Sequence, residues 1–143
     1  PGRRPLVVLS PAAVADAVEL ACTIVHECVH VDQIHRVGMA QAVADYALSP
    51  ESRAQREADA YGAGLWLRYV LTGAVPEAEP LPDLYRLDAD AQALAVGVLR
   101  SHVATIRAGA VPPLVVCRDA ARWLRGRSEL PAEIVARIPE VTA

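Results

Sequence analysis

Phenylalanine is absent from this 143-residue chain, and aromatic residues make up only 4% of it. Because 53% of the residues are nonetheless hydrophobic, the core must be built from Ala, Val and Leu. That favours closely packed helices over a large β-sandwich. Cysteine is also scarce. Cys22, Cys28 and Cys117 are an odd number without a C-x-x-C pair, which argues against a disulfide framework and favours a reducing, cytoplasmic compartment. No apolar run reaches membrane-spanning length, since the stretch 14–25 is interrupted by Asp16 and Glu19. No excess of positive charge exists either. A net charge of −3 gives no reason to expect nucleic acid as a partner, and Arg118, Arg122, Arg125 and Arg127 read as a solvated helix face. A signal-peptide pattern is missing. The chain begins at Pro1 without Met, so it is expected to be processed or cut from something longer, with further domains and the compartment left open. At this length the expectation for residues 1–143 is a single domain.

Proline and glycine divide what remains into helices. The apolar run 5–9 reads as a short strand or an extended lead-in. Ser10-Pro11 offers a hydroxyl cap followed by Pro at the first helical position, predicting a helix over 11–37 that stops at Gly38. Its broad apolar side (Val14, Val18, Ala21, Val25, Val29) implies contacts with several neighbours. A short helix or connector follows over 39–47. Ser49-Pro50-Glu51 repeats the start signal and predicts a second long helix from 50 to about 71, closed by Gly73. Residues 74–83, with Pro76, Pro80 and Pro82, form a loop. Asp88 caps a helix over 89–108, Gly109 ends it, and Pro112-Pro113 breaks the chain again. Segments 114–124 and 128–138 complete a compact, mainly α architecture.

Within the first long helix lies His26-Glu27-Cys28-Val29-His30, an H-E-x-x-H motif. Histidines four apart stand on one helix face, so both imidazoles reach a single ion. Glu27 beside the first of them can take a proton from water on that ion. The alternative is a helix on which these residues meet by coincidence. Cys28, at i+2 from His26, points away from the ion and reads as a packing residue. Cys22, one turn before His26 on the same stripe, reads as core. Asp32 and Gln33 either orient a ligand imidazole or face water.

Two histidines do not hold a catalytic metal alone; such sites use three protein ligands. A third His six residues after the second is excluded, because Arg36 stands there and Gln33 replaces the Gly that pattern needs. His35 is about 140° around the helix from His30. The better candidate is a carboxylate in the segment 53–62, which offers Glu57 and Asp59. These two point about 200° apart and cannot both touch the ion. Glu57 is the choice, with Tyr61 one turn later on its face; a surface ion pair with Arg53 is its alternative role. Two imidazoles and a carboxylate suit Zn²⁺.

H-E-x-x-H followed at this distance by Glu and an Ala-Asp element on a second helix resembles the gluzincin class of zinc metallopeptidases, particularly its short minigluzincin members and the E-x-x-A-D pattern of membrane-associated relatives. The resemblance covers about residues 11–72. It implies a zinc-metallopeptidase-like domain that hydrolyses peptide or protein substrates. His26, His30 and Glu57 would hold the metal, Glu27 would be the general base, and Tyr61, Tyr46 or His102 would stabilise the oxyanion. The E-x-x-A-D spacing reaches Gln55 when counted back from Asp59. Either Glu57 serves in a shifted register, or the third ligand is lost and the chain is a weak or inactive metallopeptidase-like binding or regulatory module.

Overall fold

In the computed structural model, residues 14, 16–82 and 85–141 are described. They are mainly helical: α1 Ala17–Val37, α2 Met39–Leu48, α3 Pro50–Thr72, α4 Ala89–Arg107, α5 Val115–Arg125 and α6 Ala132–Arg137, with no strand among the described residues. The run 5–9 and the Ser10-Pro11 start lie outside them. None of these helices is long and apolar enough to cross a membrane.

Local punctuation accounts for most boundaries. Gly38, at φ 87°, separates α1 from α2, and Ser49 Oγ accepts from the Ser52 N–H to start α3 with Pro50 at its first position. Gly73 closes α3 in the left-handed conformation, and Asp88 caps α4 through the Ala91 N–H. Two expectations need correction. The unbroken helix over 11–37 is interrupted at Asp16, which is extended (φ −124°, ψ 127°) and whose carboxylate accepts from the Val18 and Glu19 N–H groups. That carboxylate satisfies two of the donors that a helix start leaves free, so the described helix begins there. The final helix begins after Pro131, residues 128–130 being turn and bend.

The helix set deepest is α3, which packs against α1, α2, α4, α5 and α6. Ala54 and Ala58 on α3 meet Ala91, Ala95 and Leu99 of α4, all buried. Small side chains one turn apart let the two helices approach closely. The opposite flank of α3 joins the larger core, where Ala60, Ala63, Trp66 and Val70 pack with Cys22 and Val29 of α1, Ile106 of α4 and Cys117, Ala121 and Leu124 of α5. Arg137 of α6 donates to the Val70 and Leu71 carbonyls that the end of α3 leaves free. The short-side-chain core inferred from composition is what this packing uses.

Gly62 marks the tightest approach. A Cβ there would lie 2.8 Å from Cγ of His102, whose imidazole Nε2 is 2.9 Å from Asp59 Oδ1. The ring is wedged between helices and held at its far side, so it cannot yield. Gly62→Ala is expected to destabilise the fold by about 1–3 kcal/mol, as overpacking does, despite the higher helix propensity of Ala. Thermal unfolding followed by circular dichroism would measure this, and an unchanged or raised Tm would contradict it.

Candidate metal centre

The α1 and α3 helices cross so that His26, His30 and Glu57 converge. Each offers a ligand atom, and these atoms lie within 4.8 Å of one another. The two Nε2 atoms are 3.2 Å apart, His26 Nε2 is 3.6 Å from Glu57 Oε2, and His30 Nε2 is 3.6 Å from Glu57 Oε1. Donors held about 2.0–2.1 Å from a tetrahedral zinc stand about 3.3 Å from each other. The observed spacing therefore suits one small cation, and the group could hold a metal ion.

Glu57 is buried, with 3% of its surface exposed. Its Oε1 accepts from the Tyr46 hydroxyl at 2.7 Å, while Oε2 has no hydrogen-bond partner among the described residues. Among the described residues, three other buried side-chain atoms are also without partners: Trp66 Nε1, Gln92 Oε1 and His102 Nδ1. Glu57 Oε2 alone among them belongs to an acid, and an unsatisfied carboxylate oxygen is costlier to bury than a neutral dipole. Burial pushes the Glu57 carboxyl up, but His26, His30 and Tyr46 more than reverse this and hold it well below the usual carboxylate range. Burial pushes the His30 imidazole down, and Glu57 outweighs that, so His30 holds its proton more tightly than a free imidazole. The site is thus an anion in a low-dielectric crevice with two imidazoles turned toward it, which is the charge pattern of a cation site.

The surroundings fix these groups. Gln33 Nε2 donates to the Arg56 carbonyl of α3, so its Oε1 faces His30 Nδ1 at 3.0 Å and must accept from it. Nδ1 then carries the proton, and the neutral ring presents its Nε2 lone pair to the centre. Of the two neighbours considered, Gln33 is the orienting residue, whereas Asp32 pairs with Arg36. Arg53 does not pair with Glu57. It donates from Nε to the Tyr46 carbonyl and from Nη1 to the Tyr85 carbonyl, both at 2.8 Å, and so clamps two tyrosine-bearing segments to α3.

The other site residues separate into two groups. Glu27 is half-buried and lines both clefts beside the centre. Tyr61 stacks edge-on against His26 at 5.0 Å between ring centres. Gln55 is exposed and donates to Asp59 Oδ2, so the register that would make it the ligand position is not the one that faces α1. His102 binds Asp59 on another face of α3 and is not at the centre. Cys28 is exposed, not packed, because its position on α1 faces away from both α3 and the core. Cys22 is buried in the core as expected.

Sequence reasoning missed Tyr85. It sits on the loop between α3 and α4, lines both clefts, and its hydroxyl is 3.3 Å from that of Tyr61. Burial and the Tyr61 contact raise its pKa, so the phenol stays a hydrogen-bond donor. One available signal was scarcity: the chain has 4 tyrosines, and Tyr46, Tyr61 and Tyr85 all gather here. No family profile, curated protein or solved structure matches the chain.

Two outcomes follow from this geometry. Glu57→Ala should abolish stoichiometric metal uptake while Gln55→Ala retains it, as read by elemental analysis of dialysed protein; uptake by Glu57→Ala would remove Glu57 from the ligand set. Tyr46→Phe should weaken metal affinity about 10–100-fold, the effect typical of losing a partner that orients a ligand, as read by competition with a chromogenic chelator.

Proposed function

We propose that this protein is a gluzincin-like zinc hydrolase of peptide bonds. The observation that carries the reading is the buried, half-satisfied Glu57 carboxylate between two imidazoles, with Glu27 beside them at the meeting point of two clefts. Two nitrogens and one oxygen suit zinc and leave a position open for water, whereas closed structural zinc sites usually draw on cysteine.

Zinc held there would supply a Lewis acid for the scissile carbonyl and make a water acidic enough to attack near neutral pH. The remaining work falls to the chain's own side chains. His26, His30 and Glu57 hold the site, and Gln33 and Tyr46 keep two of them oriented. Glu27 accepts the proton of the attacking water at its carboxylate and passes it to the leaving nitrogen. Tyr85 and Tyr61 are paired phenols at the rim of the clefts, and one donates to the oxygen that gains charge as the carbonyl becomes tetrahedral.

One observation favours a second reading, a metallopeptidase-like module that binds but does not cut. The described residues include no strand edge along which an extended peptide could pair. The deciding experiment compares zinc-loaded wild type with Glu27→Gln on a mixed fluorogenic peptide library. Glu27→Gln is expected to keep its zinc and lose at least about a thousandfold in rate, within the range by which acid–base and electrostatic groups act. Hydrolysis retained by that variant would remove Glu27 as the base. Zinc-loaded wild type that cuts no peptide would establish the binding module instead.

A further inference from the structure

The clefts on either side of the metal centre differ in chemistry. They share His26, Glu27 and Tyr85, so they are two arms of one groove that passes over the site. One arm, about 510 Å³, is walled by Ile34 of α1 and by Ala42, Val43 and Ala47 of α2; Arg56 of α3 also lines it, its charge paired with Asp45. The other, about 570 Å³, runs between α1 and the loop after α3 and carries Glu19, Glu77 and Glu79 against one cation among the described residues, Arg68. Arg68 is already committed, lying 2.6 Å from Glu19. Glu77 and Glu79 are exposed and have no ion-pair partner among the described residues. This arm therefore keeps about two uncompensated negative charges beside Glu27.

Acidic residues on a surface loop are ordinary by themselves. Here they line an arm that reaches His26 and Glu27 of the centre, while the buried Glu57, whose Oε2 lacks a partner among the described residues, lines the other arm of the same groove. We infer that the groove selects a peptide with an aliphatic side chain on one side of the scissile bond and a lysine or arginine on the other. The aliphatic group enters the pocket between α1 and α2, and the cationic group lies along Glu77 and Glu79. The occupant's being a peptide rests on the hydrolase reading; its polarity rests on the lining of the two arms. Cationic attraction in an open, solvated arm is modest per pair and screened by salt, and two such pairs discriminate about tenfold. The aliphatic pocket adds discrimination of the same order for a branched side chain over a charged one.

The test uses zinc-loaded Glu27→Gln protein for binding and zinc-loaded wild type for cleavage. Three fluorescent octapeptides serve as probes: one with two lysines on one side of a central bond and leucine on the other, one with glutamates replacing the lysines, and one with aspartate replacing the leucine. Fluorescence anisotropy at low ionic strength is expected to show the first peptide bound about tenfold more tightly than either of the others. Its advantage over the glutamate peptide is expected to collapse in a Glu77→Gln/Glu79→Gln protein and on raising the salt to 0.5 M. Val43→Asp is expected to erase the preference for leucine over aspartate. Equal affinity for the lysine and glutamate peptides, or a ratio that the double substitution leaves unmoved, would overturn the inference. Binding with this preference but no cleavage by the wild type would keep the inference and overturn the hydrolase reading.

Discussion

A carboxylate removed from water must be compensated where it lies, and in this protein that requirement falls on Glu57. Its side chain is held between α1 and α3, where two imidazoles and the Tyr46 hydroxyl face it. Much of the surrounding architecture serves to bring those groups to it. The α1 helix contributes two rings from one face, α2 is anchored so that Tyr46 reaches Oε1, and the loop after α3 is drawn in until Tyr85 stands at the rim. Leaving such an acid uncompensated would cost several kcal/mol, a large share of the stability of a domain this size.

The clamp that achieves this is Arg53, one turn before Glu57 on α3. Its guanidinium binds backbone carbonyls from two separate segments, those of Tyr46 and Tyr85, so the positions of both rings are tied to the helix that carries the acid. The planar, multiply donating guanidinium can do this, whereas a lysine ammonium at the same place would lack the fork. Beneath this polar layer the small residues of α3 let α4 pack close, and Asp59, Gly62 and His102 lock that second contact. The polar face and the alanine face of one helix thus divide the labour: one builds a centre, the other supplies its rigid support.

Helix boundaries were legible where the cue was a cap or a breaker next in sequence: Gly38, Ser49-Pro50, Gly73, Asp88 and Gly109 all act as their chemistry predicts. Asp16 was read only as an interruption of an apolar run, yet it is the residue that starts the described helix, because its carboxylate accepts from the Val18 and Glu19 N–H groups that a helix start leaves free. At the centre, the helical repeat was enough to pair His26 with His30 and to choose Glu57 over Asp59, since spacing along one helix sets which residues share a face. Gln33 was visible as one of two candidates. Tyr85 was not, because it lies on a proline-rich loop with no periodicity, and its position depends on where Arg53 of another segment holds its carbonyl.

By itself the amino-acid sequence determined a mainly helical chain with an Ala-rich core, the two-histidine face and a carboxylate one helix later, since all of these follow from local periodicity, capping and side-chain size. Only the tertiary structure decided that Glu57 and not Gln55 meets those histidines, that Gln33 and not Asp32 orients His30, that His102 belongs to a packing contact, and that one groove with an apolar and an acidic arm crosses the centre. Those outcomes depend on the rotation and depth at which α3 seats against α1 and α4. That seating is set by the whole core packing at once, and no local segment of the chain encodes it.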